Sequence, residues 1–276
     1  MSAGIRYSRR TGETHIETPN AAEAFSEWKG AEERWLFVSP HDDDVATGAG
    51  LTVLAGLAED AEVHAVVVTD GRMGYCRHEQ RESIVEVRRA ECEKSFAILG
   101  LAADRLRFLG HADGDLDVCR GRRFAASGMA TAIAGGAGLQ NSFTHVVRAV
   151  RPTRVFLPTA ADLHPDHRIV HEEFLISLFH AQGAIWPELG EPIAEVPRVY
   201  EFAVYNDFPE WPTLRIETPA AMLDRKLDSI AAYASQEQID SLIKIQRNAG
   251  PIECLRELSF RLYSPRQYDS FFTKAR

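Results

Sequence analysis

Two apolar runs in this chain break off directly into clusters of histidine and aspartate. Trp35-Leu36-Phe37-Val38 leads into Ser39-Pro40-His41-Asp42-Asp43-Asp44. Far downstream, Val155-Phe156-Leu157-Pro158 leads within a few residues into His164-Pro165-Asp166-His167. Short apolar runs of this kind, without polar alternation, read as strands covered on both faces, which in an open sheet means parallel strands under helices. Ligands in such sheets sit outside the carboxyl ends of the strands. Both clusters are therefore expected at one edge of one sheet, pooling imidazoles and carboxylates in a single cleft.

The rest of the chain supports that architecture. After the first cluster the pattern predicts a helix over 46–57, a buried strand over 62–69 and a long helix over 80–99. Ile84, Val87, Cys92, Phe96 and Leu99 fall on helical spacing there, and Gly100 stops the helix. A short strand follows at 105–109, then a weakly specified glycine- and alanine-rich stretch over 125–138 and a helix over 143–150. The strand at 155–157 precedes a helix that opens at Pro165, a residue suited to a first turn, and runs to about residue 179. Strands at 198–205 and 213–217 and a helix over 220–233 are expected beyond Pro187. Strand–helix alternation of this kind implies right-handed βαβ units. The fold class is therefore α/β: a Rossmann-like, mostly parallel sheet with helices on both faces. Residues 6–17 alternate around Thr11-Gly12, so residues 1–30 read as an extension carrying a small hairpin, and residues 31–276 as a single domain.

Composition narrows the function classes. A compact chain of 276 residues needs no disulfide for bulk stability. Cys76, Cys92, Cys119 and Cys254 share no short spacing that would make a zinc ribbon or a disulfide framework. A net charge of −9 argues against a nucleic-acid or anionic-membrane surface. Neither a signal-peptide core at the amino terminus nor an apolar run of membrane-spanning length occurs, so a reducing cytoplasm is the expected location. The expected partner is a small molecule, without nucleic acid or stable membrane insertion; a homo-oligomer is left open.

The clusters point to metal chemistry. Like-charged carboxylates about 4 Å apart repel by roughly 1 kcal/mol in water and about 4 kcal/mol at an effective dielectric near 20, and a divalent cation turns that repulsion into binding. Neutral imidazoles plus one carboxylate are a usual catalytic zinc set, and a spare carboxylate can take a proton from the metal-bound water. His41 and Asp44, three residues apart around a turn, can both face a metal while Asp43 points past it. His164 and His167, three apart at a helix start, can both face the same cleft. Either cluster alone would ordinarily be a solvated acidic turn or a capped helix start; two, each at a strand end of one sheet, are a much less ordinary coincidence.

In sequence, Pro40-His41-Asp42-Asp43-Asp44 resembles the His-Pro-Asp-Asp-Glu signature of the PIG-L/LmbE-like zinc deacetylases, and His164-Pro165-Asp166-His167 resembles their second motif. Weaker echoes are Thr69-Asp70-Gly71, the segment from Val87-Arg88-Arg89 through Glu91, Asp113-Gly114, Arg151-Pro152, and Lys226 followed by Ser235-Gln236. The resemblance implies an enzyme that hydrolyses the N-acetyl group, or another N-acyl group, of N-acetylglucosamine-type sugars, glycolipids or glycosylated natural products. It implies that His41, Asp44 and His167 bind Zn2+, or another divalent metal such as Fe2+. By the same resemblance Asp43 is the general base, and His164 stabilises the oxyanion or protonates the leaving amine, oriented by Asp166. Arg88 and Asp113 would contact sugar hydroxyls or phosphate-like groups.

Two positions depart from the signature: Asp42 stands where the family has proline, and Val45 where it has an acid. Asp42 leaves open which aspartate is ligand and which is base, with Asp44 favoured because its spacing from the histidine is kept. The same departures keep alive a non-catalytic carbohydrate-binding protein with a decayed metal site, alongside a metal-dependent amidase or esterase with a non-sugar substrate.

Other histidines and glycines read more plainly. Gly48-Ala49-Gly50 mimics a dinucleotide fingerprint, but three aspartates fill the turn where a pyrophosphate would sit, and close helix packing is the better reading. His171 reads as helix surface, His64 as a satisfied core histidine, and His111 as a residue near the cleft.

Overall fold

The computed structural model describes residues 4–260 and 263–273. The chain opens with the hairpin β1 (Arg6–Thr11) and β2 (Thr14–Thr18), a short helix α1 (Ala21–Ala24) and strand β3 (Arg34–Ser39). Helix α2 (Asp44–Ala58), strand β4 (Glu62–Thr69), helix α3 (Ile84–Leu99) and strand β5 (Leu106–His111) follow. A two-residue ladder, β6 (Arg123–Phe124) with β7 (Gly136–Ala137), precedes helix α4 (Leu139–Val150), strand β8 (Arg154–Pro158) and helix α5 (Pro165–Gln182). The remainder comprises β9 (Arg198–Phe202), β10 (Leu214–Glu217), α6 (Ala220–Ala231), α7 (Ile239–Ala249), β11 (Ile252–Leu258) and α8 (Asp269–Thr273).

Nine strands form one sheet in the order β2-β1-β10-β11-β9-β8-β3-β4-β5. The five from β9 to β5 run parallel, four of them (β3, β4, β5 and β8) as strand–helix alternation predicts, and the other four pair antiparallel. Alternate side chains leave the parallel strands on opposite faces. Trp35, Phe37, Val63, Ala65, Val67 and Phe156 enter the core shared with α2 and α3, whereas Leu36, Val38, Val66, Val68, Val155 and Leu157 enter the one shared with α4 and α5.

One topological fact places the site. From β3 the chain winds outward through α2 to β4 and α3 to β5, then crosses back to β8 on the other side of β3. The gap between β3 and β8 is thus the switch point of the sheet, where loops leave the two strands in opposite directions and open a crevice. Trp35 and Phe37 pair with Arg154 and Phe156, so both strands end at the same level. Both acidic-histidine clusters follow those ends.

The hairpin of residues 6–17 forms where expected, and it joins the main sheet through the β1–β10 pairing. Strand β11 and helix α7 have no counterpart in the sequence reading. In β11 the inward positions are Glu253 and Leu255, so a buried carboxylate hides the alternation that marks a half-buried strand.

The glycine pair of α2 has a steric cause. A Cβ on Gly48 would stand 2.7 Å from the Ala203 carbonyl oxygen, and one on Gly50 would stand 3.0 Å from Lys226 Cγ. Between them the helix kinks at Ala49, and the Glu253 carboxylate accepts the freed amides of Leu51 and Thr52 at 2.9 and 2.8 Å. Lys226 Nζ, 2.7 Å from Glu253, neutralises that buried acid. No phosphate-binding turn is present there: Gly48 lets α2 lie close to the end of β9, and Gly50 lets it lie against Lys226 of α6.

Candidate metal centre

Asp44 is the first residue of α2, and its Oδ2 accepts the backbone N–H of His41 at 2.7 Å, closing the turn that follows β3. The same oxygen lies 3.1 Å from His41 Nδ1 and 3.1 Å from His167 Nε2, and those two nitrogens are 3.2 Å apart. Tetrahedral zinc with bonds of 2.0–2.1 Å holds its donors roughly 3.3 Å apart. The three atoms stand at that spacing, and Asp44 Oδ1 is buried with no hydrogen-bond partner among the described residues. The residues therefore fit a small divalent cation. All three side chains are buried, His167 completely. Burial disfavours an imidazolium at His167, but the Asp44 and Asp162 carboxylates together outweigh it and lift the group to about 9. Burial also opposes ionisation of Asp44, yet His167 and His41 hold it well below the usual carboxylate range. A site that stabilises positive charge this strongly suits a cation.

His164 is the N-cap of α5, with Pro165 next in the first turn. Its Nδ1 accepts the Asp166 backbone N–H at 3.2 Å, which leaves the proton on Nε2. Burial, then the neighbouring His41, lower its pKa, so it is a neutral N–H donor near pH 7. The His164 ring meets that of His41 edge-on, with centroids 4.5 Å apart. Donor atoms of His41, His164 and His167 lie within 4.8 Å of one another, as do those of His41, Asp113 and Asp166. Asp166 orients His164 through its backbone, because its carboxylate turns elsewhere: Oδ2 accepts the Gly114 N–H at 2.9 Å and lies 3.5 Å from His41 Nε2. Asp113 reaches the same His41 nitrogen at 3.2 Å.

Asp43, the N-cap of α2, is half-buried. Its Oδ2 accepts a short bond from Gln236 Nε2 and lies 3.4 Å from Arg88 Nη2. Oδ1 is the oxygen left for other work. Arg88 itself is buried and bonded mainly to Asp42, through Nε–Oδ2 at 2.8 Å and Nη2–Oδ1 at 2.9 Å. Burial and the Asp43 charge push Asp42 up to about 7 against the pull of Arg88. Val45, at the second departure from the signature, lies fully buried in the core beside α2.

All eight residues singled out in the sequence thus gather at the switch point. Three further residues belong with them. Asp162, fully buried, holds His167 Nδ1 at 3.2 Å and accepts the His164 and Tyr205 backbone N–H groups at 3.0 and 3.3 Å. Tyr205, more than half exposed, lays its ring near-parallel to His167 at 5.3 Å and His164 at 6.2 Å. Gln236 was visible only as a weak echo. An isolated Asp or Tyr carries no sequence signal of its own, and the loop after β9 is brought in only by the β8–β9 pairing.

Three other histidines lie apart from this group. His171 is a correction: it is buried, with Nε2 3.0 Å from Glu201, because four residues beyond His167 the helix still faces the sheet. His111 is buried against Ser142 Oγ at 3.1 Å, and His64 is paired with Glu62 at 2.7 Å.

An open, mainly parallel sheet whose switch point gathers two histidines and an aspartate at a spacing that fits a small cation has the architecture of a hydrolase of the α/β class. Residues 36–177, just over half of the chain, match the family described as PIG-L: GlcNAc-PI de-N-acetylase, and the chain belongs to that family. A curated relative, 1D-myo-inositol 2-acetamido-2-deoxy-alpha-D-glucopyranoside deacetylase 2 of Saccharopolyspora erythraea, is 28% identical over 242 residues, covering 74% of this chain and 84% of the relative. The N,N'-diacetylchitobiose deacetylase of Pyrococcus horikoshii has the same fold, with a TM-score of 0.65 and 21% identity over 82% of this chain and 84% of that one. The 4-carboxy-2-hydroxymuconate hydratase GalB of Pseudomonas putida KT2440 also shares it, with a TM-score of 0.63 and 20% identity over 84% of this chain and 98% of that one. The fold thus serves more than one reaction, and chemistry must be argued from the site. No helix among the described residues is long and apolar enough to cross a membrane.

Proposed function

We propose that this protein is a zinc-dependent hydrolase that removes the N-acetyl, or a related N-acyl, group from an N-acetylglucosamine-type amino sugar or its glycoside. The observation that carries this reading is the triangle of His41 Nδ1, Asp44 Oδ2 and His167 Nε2, next in sequence to Asp43, whose Oδ2 is held by Gln236. Family membership and the deacetylase relative support the choice of bond.

Zinc held by His41, Asp44 and His167 would polarise the amide carbonyl and bring the pKa of a water near 7. Asp43, with Oδ2 held by Gln236 and Arg88, presents Oδ1 to accept the proton of the attacking water and later delivers it to the amine nitrogen. His164 directs its Nε2 N–H at the carbonyl oxygen as charge develops there, while its Nδ1 stays fixed by the Asp166 amide. Tyr205 supplies an exposed aromatic wall over the two histidines, suited to the apolar face of a sugar ring.

Acetate release should be measured from a panel of N-acetylglucosamine glycosides and their longer N-acyl analogues. Release that a chelator abolishes and added zinc restores is expected. Stoichiometrically zinc-loaded protein that releases no acyl group from any member of the panel would overturn the proposal.

A further inference from the structure

Asp42 is the residue at which this chain departs most from its family's signature, and it is built into the fold. Its side chain is buried, its carbonyl oxygen accepts Tyr233 Oη at 2.5 Å and Cys92 Sγ at 3.4 Å, and Gly71 packs over its carboxylate. A proline there could offer no carboxylate. Asp42 pairs with the Arg88 guanidinium, whose Nη2 donates to Oδ1 at 2.9 Å while Nε lies 2.8 Å from Oδ2. Arg88 Nη2 also touches Asp43 at 3.4 Å, the cation lies 5.1 Å from the Tyr233 ring centroid, and the Gly71–Gly74 turn covers it. Its remaining nitrogen, Nη1, is buried from solvent, with no hydrogen-bond partner among the described residues.

We propose that Asp42 withdraws Arg88 from substrate recognition, so that this enzyme selects uncharged amino sugars over phosphorylated ones; this rests on the deacetylase reading above. The charge pattern agrees. Asp43, Asp113 and Asp166 all face the site, with the last two within 3.5 Å of His41. On the loop after β4, Arg72 is paired with Asp70 and Arg77 with Glu237. A phosphate entering beside the metal centre would meet the carboxylates of Asp43, Asp113 and Asp166. Arg88 instead helps to fix the oxygen of Asp43 opposite the one that works, which makes it a positioning residue.

The test compares kcat/KM for N-acetylglucosamine with its 1- and 6-phosphates. The wild-type protein should favour the neutral sugar by at least about tenfold. Asp42→Ala should free Arg88 and cut that preference severalfold, and adding Arg88→Ala should remove the gain. Asp42→Asn, which keeps the shape, serves if the alanine variant is misfolded by circular dichroism. Calorimetric titration of zinc-loaded protein with glucosamine and glucosamine 6-phosphate reads the same preference without turnover, so a wrong reaction assignment would not mask it. Equal preference in wild type and Asp42 variants, in turnover or in binding, would overturn the proposal.

Discussion

His167 Nδ1 faces Asp162 Oδ2 at 3.2 Å, and both side chains are completely buried. The carboxylate beside Nδ1 favours the imidazole proton there and leaves Nε2 for Asp44 and His41. A carboxylate behind a ligating imidazole sets the tautomer and ring direction and raises ligand basicity. Asp162→Asn should therefore lower zinc affinity by about 10- to 100-fold, measured by competition with a chromogenic chelator. Unchanged affinity in a folded variant would mean that the ring is held by packing alone.

The division of labour among the aspartates can be separated by metal content. Asp43→Asn should keep near-stoichiometric zinc and lose about 10²- to 10⁴-fold in turnover. His164→Ala should behave likewise, losing about 10²-fold, because His164 is assigned to the carbonyl oxygen. Asp44→Asn and His167→Ala should lose zinc by elemental analysis. Zinc loss in His164→Ala with zinc retained in Asp44→Asn would exchange their roles.

Gly48 is predicted to be sensitive for steric reasons alone. Its Cβ would meet the Ala203 carbonyl at 2.7 Å and the Phe202 ring at 2.8 Å, so Gly48→Ala must displace α2 or β9. A cost of about 1–3 kcal/mol in urea unfolding is expected. Gly183→Ala is the control: its Cβ would find ordinary contacts at 3.5 Å or more, and a change within about 0.5 kcal/mol is expected.

Acid sensitivity should trace partly to His111. Burial lowers its pKa from 6.5 to about 4, only partly opposed by Asp70. The unfolded chain therefore takes up this proton first as the pH falls. The contribution of His111 is complete above about pH 6.5 and is lost between 6.5 and 4, amounting to about 3 kcal/mol. His111→Asn, which keeps a hydrogen-bonding partner for Ser142, should flatten the pH dependence of unfolding in that window. An unchanged slope would show that His111 titrates alike in the folded and unfolded protein.

The parallel half of the sheet was legible from residue order because continuous apolar strands followed by helical periodicity admit few arrangements. The two clusters were legible because histidine and aspartate at fixed spacing after such strands have few other uses. Strand β11 escaped because its inward Glu253 looks like a surface residue until Lys226 and the freed amides of α2 are brought to it.

Sequence alone thus determined which groups meet at the crevice: β3 and β8 carry them there whatever the details of the loops. The tertiary structure decided what each group touches. Asp166 orients His164 by its amide and not by its carboxylate, and Asp162, Tyr205 and Gln236 arrive from segments with no local signature. Arg88 turns to Asp42. The physical reason is distance: a hydrogen bond is settled within about 3 Å, and residues 46 or 193 positions apart in the chain reach that range only after the sheet has closed its order.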